Sequence, residues 1–371
     1  MIFRTRLAAL SAAAALVLAA CGGGHDYTQV VSFGDSLSDV GSYKTAGIAA
    51  VGGGKYTVNG PEGKVWVERL AERLGLAMPC AAQTGLNASG SLASFVGAVT
   101  TQANCTGYAQ GGSRVTNPIG PWNAALKASS DATTAFQGQL GQLTVPLTTQ
   151  VANHLAANGG QFRSSALVLA LAGGNDLFML AGGIPARVAE LMGQSMTQQQ
   201  ATQTAAGEAV QAMGVAGGEL AALVKNQMLA KGATRVVVVN LPDVSLTPSS
   251  VAEGTAAQAL TKSMTEAFNT QLAAGLANTP GVLQVDAFTR SIAQAAKPSE
   301  YGLTNLTTPA CDKTSSLNPF QGYSLTCTTA STLVGTDVSH YAYADTVHPT
   351  PYAHQLLSNF VIAEMQRKGW L

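Results

Sequence analysis

The sequence predicts an α/β domain built on a mainly parallel sheet, and three observations lead to that fold class. Short apolar runs alternate with longer helix-forming segments along the chain, an order typical of parallel strands joined by helical crossovers. The run 166–172 is continuously apolar, as a strand covered by helices on both faces should be. The runs 30–33 and 166–172 both end in glycine-containing polar turns, at the edge where open parallel sheets bind ligands.

The first residues carry a predicted export signal. Residues 1–20 combine two arginines with a short, alanine-rich apolar run, which is typical of a signal peptide and too short to cross a bilayer. The stretch 18–21 ends in Cys21 and resembles a bacterial lipobox. We therefore predict a lipoprotein signal peptide at 1–20, lipidation of Cys21 and a lipid-anchored tether at 21–28. The alternative is an ordinary signal peptide that happens to precede a cysteine.

Charge and composition limit the partners. Without residues 1–20 the chain has 18 basic and 20 acidic residues, a net charge of −2, and no basic patch, so nucleic acid is not an expected partner. We expect an exported, monomeric protein of the bacterial cell envelope that is held on a membrane by its lipid. Because Gly22 is not the aspartate that retains some lipoproteins at the inner membrane, we predict the outer membrane, facing the periplasm or the outside.

Four cysteines follow Cys21: Cys80, Cys105, Cys311 and Cys327. An even number in an exported chain, with no C-x-x-C spacing, favours disulfides over metal ligation. Three pairings are possible, and proximity in the sequence favours Cys80 with Cys105 and Cys311 with Cys327.

In the first half of the chain, 30–33 is the first buried strand and 65–75 is an amphipathic helix. Residues 42–63 are predicted to form an irregular loop over the active face, and 76–130 are mostly small, polar and turn-forming. A helix is expected from about 143 to 157.

The second half alternates between the two element types. Apolar runs predict strands at 166–172, 235–240 and 282–286, and helical patterns predict helices at about 198–231, 252–277 and 351–368. Residues 297–344 are expected to be irregular and hold the second cysteine pair. Since nothing reads as a linker, we predict one domain over 29–371.

The strand at 30–33 delivers a serine to the end of the predicted sheet. Ser36 follows directly, beside the amides of a helix start, where a hydroxyl can act as a nucleophile. The alternative is that Asp35 and Ser36 only cap the helix.

Near the other end of the chain, Asp345 and His348 supply a carboxylate and a base three residues apart. Ser, Asp, His is one of the orders in which catalytic triads occur.

Four short blocks together resemble the GDSL or SGNH hydrolase family: Gly34-Asp35-Ser36-Leu37-Ser38, Gln110-Gly111-Gly112-Ser113, Gly174-Asn175-Asp176 and Asp345-x-x-His348-Pro349. The resemblance implies a three-layer α/β/α sandwich with a flavodoxin-like sheet, and a serine hydrolase that needs no metal or cofactor. It makes Ser36 the nucleophile, His348 the general base and Asp345 the residue that orients the imidazole.

The same resemblance implies an oxyanion hole. Its donors would be the Ser36 backbone N–H, the N–H of a glycine in the second block and the side-chain amide of Asn175. Gly112 matches the family's placement better than Gly111, although either glycine could adopt the turn.

The predicted function is therefore hydrolysis of small-molecule or lipid carboxylic esters through an acyl-enzyme. A phospholipase or a lipid acyltransferase would use the same triad and is the nearest alternative. A non-catalytic envelope lipoprotein that keeps the fold is an alternative of another class. The sequence has no H-E-x-x-H, no G-x-x-x-x-G-K-[ST] and no G-x-S-x-G, which argues against a zincin, a P-loop enzyme and an α/β-hydrolase.

Overall fold

The computed structural model describes residues 27–371. The predicted signal peptide, the lipidation site Cys21 and residues 21–26 of the predicted tether lie outside the described residues. Within the described part, no helix is both long and apolar enough to cross a membrane.

Residues 27–371 form six strands and ten α-helices. The strands are β1 (Gln29–Gly34), β2 (Gln83–Leu86), β3 (Gly97–Thr101), β4 (Ala166–Leu171), β5 (Arg235–Val239) and β6 (Val282–Val285). The helices are α1 (Ala46–Ala50), α2 (Trp66–Arg73), α3 (Ala132–Gly138), α4 (Leu147–Ala157), α5 (Gly174–Gly193), α6 (Gln198–Leu223), α7 (Pro248–Ala252), α8 (Thr255–Gly275), α9 (Ala287–Ala296) and α10 (Pro351–Arg367).

The central sheet is parallel and has the order β1-β4-β5-β6. A short segment, Thr106 to Tyr108, extends it beyond β1. There the Ser32 N–H donates to the Thr106 carbonyl at 3.0 Å, and the Tyr108 N–H donates to the Ser32 carbonyl at 2.8 Å. With this edge included, the sheet is flavodoxin-like, since the chain starts near the centre, visits one edge and then crosses to the other.

Helices cover both faces of the sheet. Alternate strand residues point in opposite directions, so Val31 and Val168 pack against α4, α6 and α8, whereas Val30 and Leu167 pack against α2 and α10. All six residues of β4 are buried, as its unbroken apolar run predicts. The predicted three-layer α/β/α architecture is therefore confirmed.

Several elements differ from the sequence predictions. The region 76–130 holds the antiparallel pair β2–β3, which its small and polar residues do not announce, and the loop 42–63 contains the short helix α1. Helix α5 was not predicted, because Pro185 and the two glycines Gly182 and Gly183 interrupt its pattern. Helix α9 was not predicted either. The helix predicted at about 252–277 is α8, and Gly254 separates it from the short helix α7, which was not predicted.

Disulfides join the cysteines that are nearest in the sequence. Cys80 is bonded to Cys105, and Cys311 is bonded to Cys327. The first bond closes the loop that leads into the edge segment, where the Gly107 N–H also donates to the Cys80 carbonyl at 2.9 Å. The second bond lies in the irregular region that precedes the Asp345 loop.

Candidate active site

Ser36 lies at the carboxyl end of β1, in a short 3-10 turn that covers 36–38. Asp35 caps this turn, since its Oδ1 accepts the Leu37 N–H at 3.0 Å. The residue before it must be glycine: Gly34 has φ +152°, and a Cβ there would overlap the Leu171 carbonyl oxygen of β4. The close approach of β1 and β4 thus sets the place where Ser36 leaves the sheet.

The loop before α10 brings the imidazole to Ser36 from the other end of the chain. The His348 Nε2 lies 2.9 Å from the Ser36 Oγ. On the other side of the ring, the His348 Nδ1 lies 2.8 Å from the Asp345 Oδ2 and 3.0 Å from its Oδ1. The structure therefore brings these three predicted residues together in the order that a catalytic triad requires.

Asp345 is buried and held by several donors. Its Oδ1 accepts the backbone N–H groups of Val347 and His348, at 2.9 and 2.7 Å, and its Oδ2 accepts the Ser324 N–H at 2.9 Å. Burial alone would raise the pKa of Asp345, but the charge and hydrogen bonds of His348 and the bond from Ser324 outweigh burial and hold the pKa well below its usual value. The carboxylate is therefore ionised and fixed in orientation.

Two tyrosines pack against the His348 ring. The centroid of the Tyr56 ring lies 4.9 Å from the imidazole centroid, and that of Tyr323 lies 5.9 Å away. Tyr56 and Tyr323 also contact each other edge to face, at 5.8 Å. These rings restrict the imidazole to a pose between Asp345 and Ser36.

The two glycines of the second block have different environments. The Gly111 N–H donates to the Asp39 Oδ2 at 2.9 Å, so it is already used, and a side chain at this residue would overlap the Tyr56 ring. Gly112 has φ +79°, and among residues 27–371 no acceptor bonds its N–H or that of Ser36. Both of these N–H groups can therefore donate to a substrate oxygen, which favours Gly112 over Gly111.

Asn175 starts α5 and ties it to the glycine loop. Its Nδ2 donates to the Ser113 carbonyl at 2.9 Å, which leaves the second amide hydrogen for another acceptor. The next residue, Asp176, accepts the Val115 N–H at 3.0 Å and forms an ion pair with Arg114 at 2.9 Å. The first turn of α5 thus holds the loop 111–115 beside the end of β1.

Sequence reasoning missed two buried positioning residues. Gln150 of α4 clamps Gly34, because its Oε1 accepts the Gly34 N–H at 2.9 Å and its Nε2 donates to the Gly34 carbonyl at 2.8 Å. Asp39 accepts N–H groups from Gly41, Ser42 and Gly111 and the Ser42 hydroxyl. The sequence alone could not identify Gln150 as a positioning residue, because a glutamine in a predicted helix is informative only when that face of the helix is known to be buried.

The site opens into a cavity of about 330 Å³ that runs along the carboxyl edge of the sheet. Ser36, Asp35 and Asn175 line one part of it, and its walls are mostly apolar, with Phe178 and Leu241 among them. Burial raises the pKa of Asp35 to about 7, against the opposing effects of the Leu37 N–H and of His348. A space with mostly apolar walls can bury an apolar chain.

A second histidine lies close to the site without joining the triad. His354 is completely buried in α10 and lines the cavity, and burial lowers its pKa to about 3. Within residues 27–371, no group of three or more His, Cys, Asp or Glu side chains is arranged to hold a metal ion.

The chain matches one known protein family. Residues 30–361 match the family model described as GDSL-like Lipase/Acylhydrolase, from β1 into α10. No curated protein matches the chain.

Proposed function

We propose a specific reaction for this chain, which belongs to the GDSL-like lipase/acylhydrolase family and is therefore a hydrolase of esters or lipids. The chain cleaves carboxylic esters through an acyl-enzyme on Ser36. The observation that carries the proposal is the 2.9 Å separation of the Ser36 Oγ and the His348 Nε2, which suits proton transfer. The second imidazole nitrogen faces an ionised carboxylate, so Nε2 is available as the base.

In the first step, the Ser36 Oγ attacks the ester carbonyl carbon while the His348 Nε2 takes the hydroxyl proton. Asp345 stabilises the imidazolium that forms. The negative carbonyl oxygen accepts hydrogen bonds from the Ser36 N–H, the Gly112 N–H and the Asn175 Nδ2. Such donors act where charge develops, and each typically contributes about 10²- to 10³-fold in rate.

The tetrahedral intermediate then collapses, and the bond to the leaving oxygen breaks as the His348 Nε2 returns the proton to the departing alcohol. Water repeats the sequence on the acyl-enzyme. His348 deprotonates the water, the bond to the Ser36 Oγ breaks as the His348 Nε2 returns the proton to this oxygen, and the free acid leaves. A lipid alcohol in place of water would give acyl transfer with the same groups.

We also propose that the protein is exported and anchored through a lipid on Cys21. Two disulfides support an oxidising compartment, since such bonds are rare in the cytosol. Metabolic labelling with a fatty acid should mark the wild-type protein but not a Cys21→Ser variant, and equal labelling of the two would contradict the anchor.

The test of the reaction is turnover of short and medium p-nitrophenyl esters by purified protein. Ser36→Ala should lower kcat by about 10⁴-fold or more and abolish labelling by a fluorophosphonate. Ser299→Ala is the matched control, because Ser299 is exposed, and it should leave turnover unchanged. Unaltered turnover in a folded Ser36→Ala variant would refute the proposal.

A further inference from the structure

Arg290 is an unusual arginine in this structure. It lies in the first turns of α9 and is half-buried, its Nε is sealed from solvent, and no acceptor among residues 27–371 bonds any nitrogen of its guanidinium. The Nε of Arg69 is also buried without an acceptor, but each of the other half-buried arginines in residues 27–371 has at least one acceptor for its guanidinium: Arg69, Arg114, Arg187 and Arg235. A buried donor without a partner costs free energy, so a guanidinium held in this way calls for an explanation.

Aromatic rings hold the guanidinium in place. Its Cζ lies 4.4 Å from the ring centroid of Tyr301 and 5.0 Å from that of Phe360. Cation–π contacts use the faces of a guanidinium, whereas its N–H donors point outward in its plane. The group is therefore pre-oriented, and its Nη1 and Nη2 N–H groups, which are not sealed from solvent, have no acceptor among residues 27–371.

The nearby charges do not neutralise Arg290. Asp243 lines the same cavity but forms no ion pair with Arg290, and its Oδ1 accepts the N–H and the hydroxyl of Ser245. Glu300 lines the adjoining groove and is paired with Lys297 at 2.9 Å. Arg290 thus presents a positive charge that no described carboxylate compensates.

The position of Arg290 connects this charge to the reaction. It lines the cavity that contains Ser36, and it also lines a groove of about 900 Å³ between α9 and α10. Helix α9 follows β6, and β6 lies three strand spacings from β1, a lateral distance of roughly 14 Å along the edge of the sheet. An extended ester bound at Ser36 can reach the arginine at this distance.

We infer that Arg290 is a recognition subsite for an anionic oxyacid group, a carboxylate or a phosphate, at the far end of the ester substrate. This inference rests on the proposed esterase function and names the class of ester. A planar guanidinium suits both anions because it can donate two parallel hydrogen bonds to either. The carboxylate would end the acyl chain, whereas the phosphate would belong to the alcohol.

The test compares anionic esters with neutral ones of equal length. The first pair consists of a medium-chain acyl ester whose chain ends in a carboxylate and the same ester with that carboxylate methylated. The second pair consists of an acylglycerol phosphate and the same acylglycerol without the phosphate. At low salt the wild-type protein should prefer one anionic member by roughly tenfold or more in kcat/KM. The preference should lie in KM, because the contact is remote from the reacting carbonyl and equal in ground and transition states.

Arg290→Gln should remove the preference and leave turnover of the neutral ester unchanged. Arg367→Gln is the matched control, since Arg367 lines the same groove but is already paired with Glu364. If both variants lose the preference equally, the preference comes from the overall positive charge of this surface, and the Arg290 subsite is refuted. If Arg290→Gln does not fold, two other tests replace it. Arg290→Lys should weaken the preference, and the wild-type protein should lose its preference in roughly 0.5 M salt.

The outcomes separate this inference from the esterase proposal. Turnover of neutral esters that depends on Ser36, with no preference for either anionic member, would overturn the inference alone. No turnover of any ester by folded protein would overturn the proposed function itself.

Discussion

The two ends of the cavity differ in how their polar groups are held. At the reaction end, Ser36, Asn175 and Asp345 are held by neighbours on several elements, and Gln150 alone forms two bonds to Gly34. At the far end, Arg290 is held by aromatic rings and has no acceptor. Reacting atoms must be fixed before the substrate arrives, whereas a recognition group can keep its hydrogen bonds for the substrate.

The strongest test of the reaction end is Asp345→Asn. An amide cannot stabilise the imidazolium and favours the wrong imidazole tautomer, so we expect kcat to fall by about 10³- to 10⁴-fold. Asp243→Asn, at the far end of the same cavity, is the matched change and should lower kcat by less than about tenfold. Ester hydrolysis measures both, and equal losses would remove the distinction between the two ends.

The next test concerns the oxyanion donors. Asn175→Ala removes a donor from the carbonyl oxygen, and kcat should fall by about 10²- to 10³-fold with little change in KM. Gln294→Ala, which removes an amide from the far end of the cavity, should change kcat by only a few fold. A loss confined to KM in Asn175→Ala would show that this amide binds substrate without acting on the transition state.

Gln150→Met tests whether the framework beneath the nucleophile depends on hydrogen bonds. The substitution leaves the buried Gly34 N–H and carbonyl without these partners, so the free energy of unfolding should fall by about 2 to 4 kcal/mol. Gln355→Met on the exposed side of α10 should stay within about 0.5 kcal/mol. Chemical denaturation measures both values, and a stable Gln150→Met variant would show that packing alone positions Gly34.

The last test concerns a difference in pH dependence between two carboxyl groups, Asp35 and Asp345. The pKa of Asp35 rises from 3.8 to about 7 on folding, so between these values the folded protein holds a proton that the unfolded chain has released. Stability therefore falls as pH rises through this window. Asp35→Asn should be more stable than wild type above pH 7, with the difference disappearing towards pH 4.

The contribution of Asp345 to stability depends on pH in the opposite direction. Its pKa is lowered on folding, so its contribution to stability is complete above its usual value of 3.8 and is lost as pH falls below that value. Thermal unfolding of wild type and Asp35→Asn across pH 4 to 8 isolates the effect of Asp35, because Asp345 titrates below this range. Parallel curves for the two proteins would contradict the raised pKa of Asp35.

Much of the fold could be read from local patterns. The unbroken apolar run of β4 and the amphipathic pattern of α2 depend on residues close together in the chain, and both elements occur where they were predicted. Helix α5 was missed because Pro185 obscures its pattern, although packing against α6 maintains it. The pair β2–β3 was missed because its hydrogen bonds, and not apolar side chains, define it.

The parallel α/β class and the residues of the candidate site could be predicted from the sequence alone, because motif order and hydrophobic period are local properties. The free glycine N–H among residues 27–371, the bonds from Gln150 to Gly34 and the position of Arg290 at the cavity of Ser36 follow only from the folded structure. These facts depend on contacts between elements far apart in the chain, and burial and hydrogen-bond partners exist only once those elements have packed.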